Sequence, residues 1–271
     1  METKIVRYRK VSSKTKDQYQ LVLQETPVYA ESGGQIGDTG KLSINGETIH
    51  TTNTKKENGL FIHFTDELPA DLSGNVSAQV DETRRKNIAV HHSVTHLMHA
   101  ALRKVLGTHV AQKGSLVSHD YLRFDFSHFA KMTDEEIRDV EKIVNEKIRE
   151  NLPVVINTMG KEEAVGLGAM GLFGEKYGDQ VRVVVMDKNY SIELCGGTHV
   201  GNTGEIGYFK ITAETAVAAG VRRIEALSGH AAEKYIEDTF AMLTSLGTQL
   251  KNAKDPLKAV ENLQADNSKL N

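Results

Sequence analysis

Cysteine is almost missing from this chain: Cys195 is the only one in 271 residues. An intramolecular disulfide is therefore excluded, and a reducing, cytoplasmic setting is the natural reading. No apolar run approaches the about 18 residues that a membrane-spanning helix needs. The stretch Met1 to Lys10 is charged and alternating, and does not read as a signal peptide. Positive charge is not in excess either, since the net charge is −3. A broad basic surface of the kind that advertises nucleic-acid binding is thus not expected. An RNA partner would need a local patch, or other parts of a larger protein. What remains is ordinary for a soluble globular protein, with 39% apolar and 25% charged residues. The length suits one large domain or two smaller ones.

Hydropathy patterning changes twice along the chain. Residues 1 to 85 are rich in short strand-like runs, such as Ile5-Val6, Tyr19 to Leu23, Leu60 to Phe64 and Val76 to Val80. Lys14 to Asp17 form a polar turn, and Asn45-Gly46 is a strong hairpin signal. Many short strands with Gly and Asn turns predict a small β-barrel. Asp81 is a plausible cap for a helix running to about Leu106, with Gly107 as its stop. Leu116 to Phe126 reads as one strand. Thr133 to Glu136 resembles a capping box, opening a helix that runs to about Asn151. Val154 to Thr158, Val181 to Met186, Ser191 to Leu194, Gly207 to Ala213 and Val221 to Ala226 are further strands. The expected fold class is α+β. It comprises a β-barrel over 1 to 85, a mixed α+β core over 86 to 230 and a helical segment over 231 to 271. Apolar residues in that last segment fall at near-heptad spacing and the chain stops inside the pattern. The tail is expected to dimerise or fold back, and the sequence to be a piece of a longer protein.

The chemistry concentrates in two short motifs. His92-Ser93-Val94-Thr95-His96 lies in the long predicted helix, and residues four apart share a face with Cβ atoms about 6 Å apart. Two imidazoles there can bind one metal ion, though either pair alone also reads as solvated surface side chains. Cys195-Gly196-Gly197-Thr198-His199 follows a strand, and its glycines allow a tight turn. Cys195 and His199 could complete a set of three imidazoles and a thiolate, which zinc suits best. His99 shares the face of His92 and His96, so spacing leaves it open as a ligand. His91, His109, His119 and His128 read as ordinary. A zincin protease needs a Glu where Ser93 stands, and a zinc deaminase needs a second cysteine. Gly166 to Gly171 matches the dinucleotide fingerprint only as a string, because it follows a helix-like stretch rather than a strand.

The metal motifs resemble the signature of the alanyl-tRNA synthetase editing domain and its free-standing AlaX relatives. Thr26 to Gly40 looks like the glycine-rich barrel motif of that family. Gln112 to Val117 with Leu122 to Phe126 looks like its second core motif, and Gly168 to Gly178, Cys195 to Lys210 and Gly220 to Ala226 continue the likeness. It covers about residues 1 to 230. Val28 replaces a usual aromatic and Gly171 a usual alanine. The resemblance implies hydrolysis of serine or glycine wrongly esterified to alanine tRNA, with zinc held by His92, His96, Cys195 and His199. It implies Gln112 as a polar wall residue near the serine hydroxyl, with Thr95 and Thr198 as runners-up. Arg222 and Arg223, and more weakly Lys176, are candidate contacts to tRNA phosphate. Zinc either activates water or orients the substrate, and four protein ligands favour orientation. No amino-acid-activating, ATP-using motif is present, so the chain is not expected to charge tRNA alone. The rest of a synthetase is the implied partner. The alternatives are a free-standing AlaX-type deacylase and a tRNA-binding module whose zinc is only structural, with a metal-independent esterase behind them.

Overall fold

The computed structural model describes residues 1–12, 17–171, 178–251 and 253–270. Residues 1–229 form one compact unit and 230–271 a second. The proposed turn at Lys14 to Asp17 lies mostly outside the described residues.

The first strands are β1 (Glu2–Thr3), β2 (Ile5–Ser12), β3 (Asp17–Leu23), β4 (Gly40–Ile44), β5 (Glu47–Glu57), β6 (Leu60–Thr65) and β7 (Val76–Val80). They make an antiparallel sheet in the order β1-β7-β4-β5-β6-β3-β2. Both edges thus come from the first twelve residues, with only Lys4 between them. A sheet whose two edge strands are consecutive in the chain must curl back on itself. Among the described residues no ladder joins β1 to β2, so the expected barrel is seen as a curled sheet. Its concave side holds Leu21, Leu23, Leu42, Ile44, Ile49, Val76 and Ala78, all buried. Asn45 and Gly46 both take positive φ, 49° and 85°, as a two-residue hairpin with right-handed strand twist requires.

Helix α1 (Glu82–Leu106) starts where the caps predict, with the Asp81 carboxylate accepting the Arg84 N–H at 3.0 Å. Every residue from Ile88 to Leu102 is buried, so α1 is the central helix of its unit rather than a surface one. Strands β8 (Gln112–Val117) and β9 (Leu122–Ser127) replace the single strand expected over Leu116 to Phe126. The Ser118 hydroxyl accepts the Tyr121 N–H at 3.1 Å and closes a turn between them. An apolar pattern on both sides hid that turn, because a serine turn carries no glycine or proline marker.

Helix α2 (Asp134–Arg149) opens on the capping box of Thr133 and Glu136. Strand β10 (Val155–Gly160), helix α3 (Lys161–Gly166), β11 (Gln180–Met186) and β12 (Ser191–Leu194) follow, and β10-β11-β12 form a small antiparallel sheet. Strands β13 (Phe209–Ala218) and β14 (Val221–Ser228) complete a four-stranded sheet in the order β13-β14-β9-β8. Apolar side chains of α1, α2 and this sheet, including Val94, Leu97, Phe124, Phe126, Val140 and Ile224, make the main core. In the second unit the expected helical tail is two helices, α4 (Gly229–Gln249) and α5 (Pro256–Leu270). Asp255 caps α5 through the Lys258 N–H at 3.0 Å, and Pro256 supplies a first-turn φ. No described helix is long and apolar enough to cross a membrane.

His91 staples α1 to two strand ends. Its Nδ1 donates to the Ser118 carbonyl at 2.9 Å and its Nε2 accepts the Ser228 N–H at 3.2 Å. Burial, first of all, lowers its pKa to about 4 from the ordinary 6.5. Below pH 6.5 the unfolded chain takes a proton that the folded one refuses, so folding stability is lost between about pH 6.5 and 4. The full loss from this group is about 3 kcal/mol. Urea unfolding at pH 7 and 4.5 should show a shallower pH dependence for His91→Gln than for the unaltered chain. Equal slopes would refute the assignment.

Candidate metal centre

One face of α1 presents His92 and His96, with ring centroids 5.4 Å apart. The turn after β12 brings His199 to 4.5 Å from the His92 ring and 4.9 Å from the His96 ring. Cys195 Sγ lies 3.3 Å from Nε2 of both His92 and His199. One donor atom from each of the four residues lies within 4.8 Å of the other three. The expected set therefore converges and could hold a metal ion. His99 is not in it: its Nδ1 meets Glu193 Oε1 at 2.9 Å.

The outer nitrogens are held too. His92 Nδ1 contacts Gln35 Oε1 at 2.6 Å, and His199 Nδ1 contacts the Ser93 hydroxyl at 3.1 Å. His96 Nδ1 forms an ion pair with Glu193 Oε2 at 3.1 Å. Each ring thus keeps Nε2 turned inward, the arrangement that orients metal-ligating histidines. Gln35 is fully buried and also accepts the Thr198 N–H at 2.9 Å. The Arg182 guanidinium donates to the carbonyls of Cys195 and Gly197 at 2.7 and 2.8 Å, and so fixes the turn.

The electrostatics suit a cation. Burial opposes ionisation of Cys195, yet the charges of His92 and His96 and the hydrogen bonds from His199 and His92 hold the thiol down at about 2. Burial would also lower His96, but Glu193 and the Cys195 thiolate raise it to about 10. His199 is pushed to about 3 by burial and by His92. The thiolate and the neutral His199 imidazole are in the states a metal requires, and a bound metal would displace the proton of His96.

A cleft of about 240 Å³ opens over His92, His96 and Cys195. Gln112 and Thr95 line it, with His99, Phe124, Arg182 and Glu193. The Thr95 hydroxyl is already donated to the His91 carbonyl at 2.7 Å. Thr198 does not line the cleft, and its hydroxyl accepts from Gln35 Nε2 at 3.0 Å. Arg222 is clamped on Glu214 at 2.5 and 2.6 Å, and Arg223 on Asp125 at 2.6 and 2.8 Å. Both arginines therefore act as cross-strand pairs of β14. Lys176 lies outside the described residues. Gly166 to Gly171 begins at the last residue of α3 and does not follow a strand.

Gln35, Glu193 and Arg182 were missed as site residues. A lone amide among the glycines of the loop before β4, and a lone carboxylate in the apolar strand β12, were the available signals.

Two family models match: "Threonyl and Alanyl tRNA synthetase second additional domain" over residues 181–225, and "tRNA synthetases class II (A)" over residues 3–84. The alanine–tRNA ligase of Cytophaga hutchinsonii is 55% identical over 262 residues, 96% of this chain and 30% of the relative. That of Christiangramia forsetii is 52% identical, covering 99% of this chain and 31% of the relative. The chain belongs to the alanyl-tRNA synthetase family. The ligase of Bacteroides fragilis (strain YCH46) is 54% identical over 94% of this chain and 29% of its own length. The chain thus spans about 30% of the alanine–tRNA ligases it matches. The stretch matched by the first model holds β11 from its second residue on, with β12, Arg182, Glu193, Cys195 and His199.

Proposed function

We propose that this segment of the synthetase family hydrolyses the ester of serine or glycine wrongly joined to alanine tRNA. The convergence of His92, His96, Cys195 and His199, three of them lining a small cleft walled by Gln112, carries the reading. Glycine is smaller than alanine and serine only slightly larger, so a charging site cannot reject either by size and a second site is needed. Three imidazoles and a thiolate fit zinc. Zinc bound there would supply Lewis acidity to polarise the ester carbonyl or a water.

The residues of the chain do the rest. Gln35, Ser93 and Glu193 keep the three imidazoles aimed inward. Arg182 fixes the turn that carries the thiolate. Gln112 offers an amide to a substrate hydroxyl, while Thr95 and Thr198 hold the backbone and Gln35 in place. Either arginine of β14 would meet a tRNA phosphate through its remaining guanidinium N–H groups, or by releasing Glu214 or Asp125. In this proposal residues 1–85 form a β-domain that supplies Gln35 to the site, 86–230 the hydrolytic core and 231–271 a helical connection to the rest of the synthetase, within the cytoplasm.

A second reading rests on the four donors, the number typical of a closed structural zinc site. One experiment separates the two. The zinc-loaded chain is incubated with seryl-, glycyl- and alanyl-tRNA(Ala), and ester loss is followed. Loss of serine and glycine with alanine spared is expected. No loss of any ester from a folded, zinc-loaded chain would leave the structural reading.

A further inference from the structure

We propose that His99 Nε2 is the acceptor that reads the hydroxyl of a bound seryl group, an inference that rests on the hydrolytic reading above. His99 lies on the same face of α1 as His92 and His96, one turn beyond His96, or about 4.5 Å along the helix axis. It lines the cleft together with Gln112, Thr95 and Phe124. The residue is only 7% exposed. Its ring is pinned on two sides: Nδ1 meets Glu193 Oε1 at 2.9 Å, and the Phe124 ring lies at 5.2 Å, tilted by 46°.

Nε2 is the exception. It is buried and has no hydrogen-bond partner among the described residues. Buried ring nitrogens are ordinarily satisfied, so an empty one at a cleft wall points to a ligand. The carboxylate of Glu193 accepts only, and therefore takes the proton-bearing Nδ1–H. In the Nδ1–H tautomer that this bond selects, Nε2 carries a lone pair and not a proton on its other side. The missing partner is accordingly a donor.

A seryl hydroxyl is such a donor, and the alanine methyl and glycine hydrogen are not. With alanine bound, Nε2 stays unpaired next to an apolar group, which disfavours the cognate ester. The same hydroxyl oxygen can accept from the Gln112 amide while it donates to His99. Two groups thus share the discrimination, and Glu193 acts through His99 as a positioning residue.

The test uses stable amide analogues of seryl-, alanyl- and glycyl-adenosine with the full 271-residue chain, metal-free and zinc-loaded. Binding is measured by calorimetry, beside deacylation of the matching tRNA esters. The unaltered chain should bind the seryl analogue about 10- to 100-fold more tightly than the alanyl one. His99→Asn keeps a donor for Glu193 but lacks the distal nitrogen, and the seryl-to-alanyl ratio should fall toward one. The His99 Nε2 nitrogen resonance should shift with the seryl analogue and not with the alanyl one, which tests the contact even if the variant fails to fold. An unchanged ratio in His99→Asn, or equal weakening of all three analogues, overturns the proposal. So does the absence of seryl preference or of the shift in the unaltered chain. Seryl preference that depends on His99 without deacylation would sink the hydrolytic reading alone.

Discussion

Cys195→Ala is expected to lose its metal and, with it, deacylation of seryl-tRNA(Ala). The unaltered chain should carry about one zinc ion, held by four donors that converge within 4.8 Å. Structural zinc in small sites is worth ~10–16 kcal/mol, so an even share puts one donor at about 3 kcal/mol, roughly a hundredfold in affinity. The thiolate contributes more than an even share, being the only anionic ligand. Elemental analysis after dialysis against a weak chelator should find metal in the unaltered chain and almost none in the variant. The fold should survive, because Cys195 sits at the edge of the core rather than inside it. A variant that keeps one zinc and full hydrolysis would show that the four donors are not a metal site.

Gly197→Ala should do nearly as much damage with a single methyl group. A Cβ at Gly197 would overlap the His92 imidazole and come within 2.7 Å of Gln35 Oε1. Neither neighbour can yield. His92 is 6% exposed and its Nδ1 is held by that same Gln35 oxygen, while Gln35 is fully buried. Forcing the methyl in would turn the ring off its axis, and losing the orientation of one ligand costs about 10- to 100-fold in metal affinity. Overpacking should also lower stability by about 1–3 kcal/mol. Gly196→Ala is the internal control, since its Cβ would meet nothing within 4 Å. A zinc-competition titration of the two variants side by side checks the argument. It fails if both behave like the unaltered chain, or if Gly196→Ala is the worse of the two.

Much of the scaffold was legible from the chain because its signals are local. Asp81 and Gly107 bracket α1 to within a residue, since an end cap is read by groups three or four positions away. Asn45-Gly46 makes its hairpin because few other residue pairs tolerate positive φ twice in succession. The tail hid its break, although Asp255-Pro256 is a helix start in its own right. The heptad-like spacing drew attention across it.

The candidate ligands were legible for the same reason, as two pairs each spaced four apart. Their convergence was not, because it joins two pairs that lie about a hundred positions apart. Only packing could assign Gln35 to His92 and Thr198, Glu193 to His96 and His99, and Ser93 to His199. Packing also decided that Arg222 and Arg223 face carboxylates on neighbouring strands. A chain records which groups it carries and what each local stretch prefers. Which buried donor meets which acceptor depends on how a helix and three sheets close around them, and no spacing along the chain encodes that.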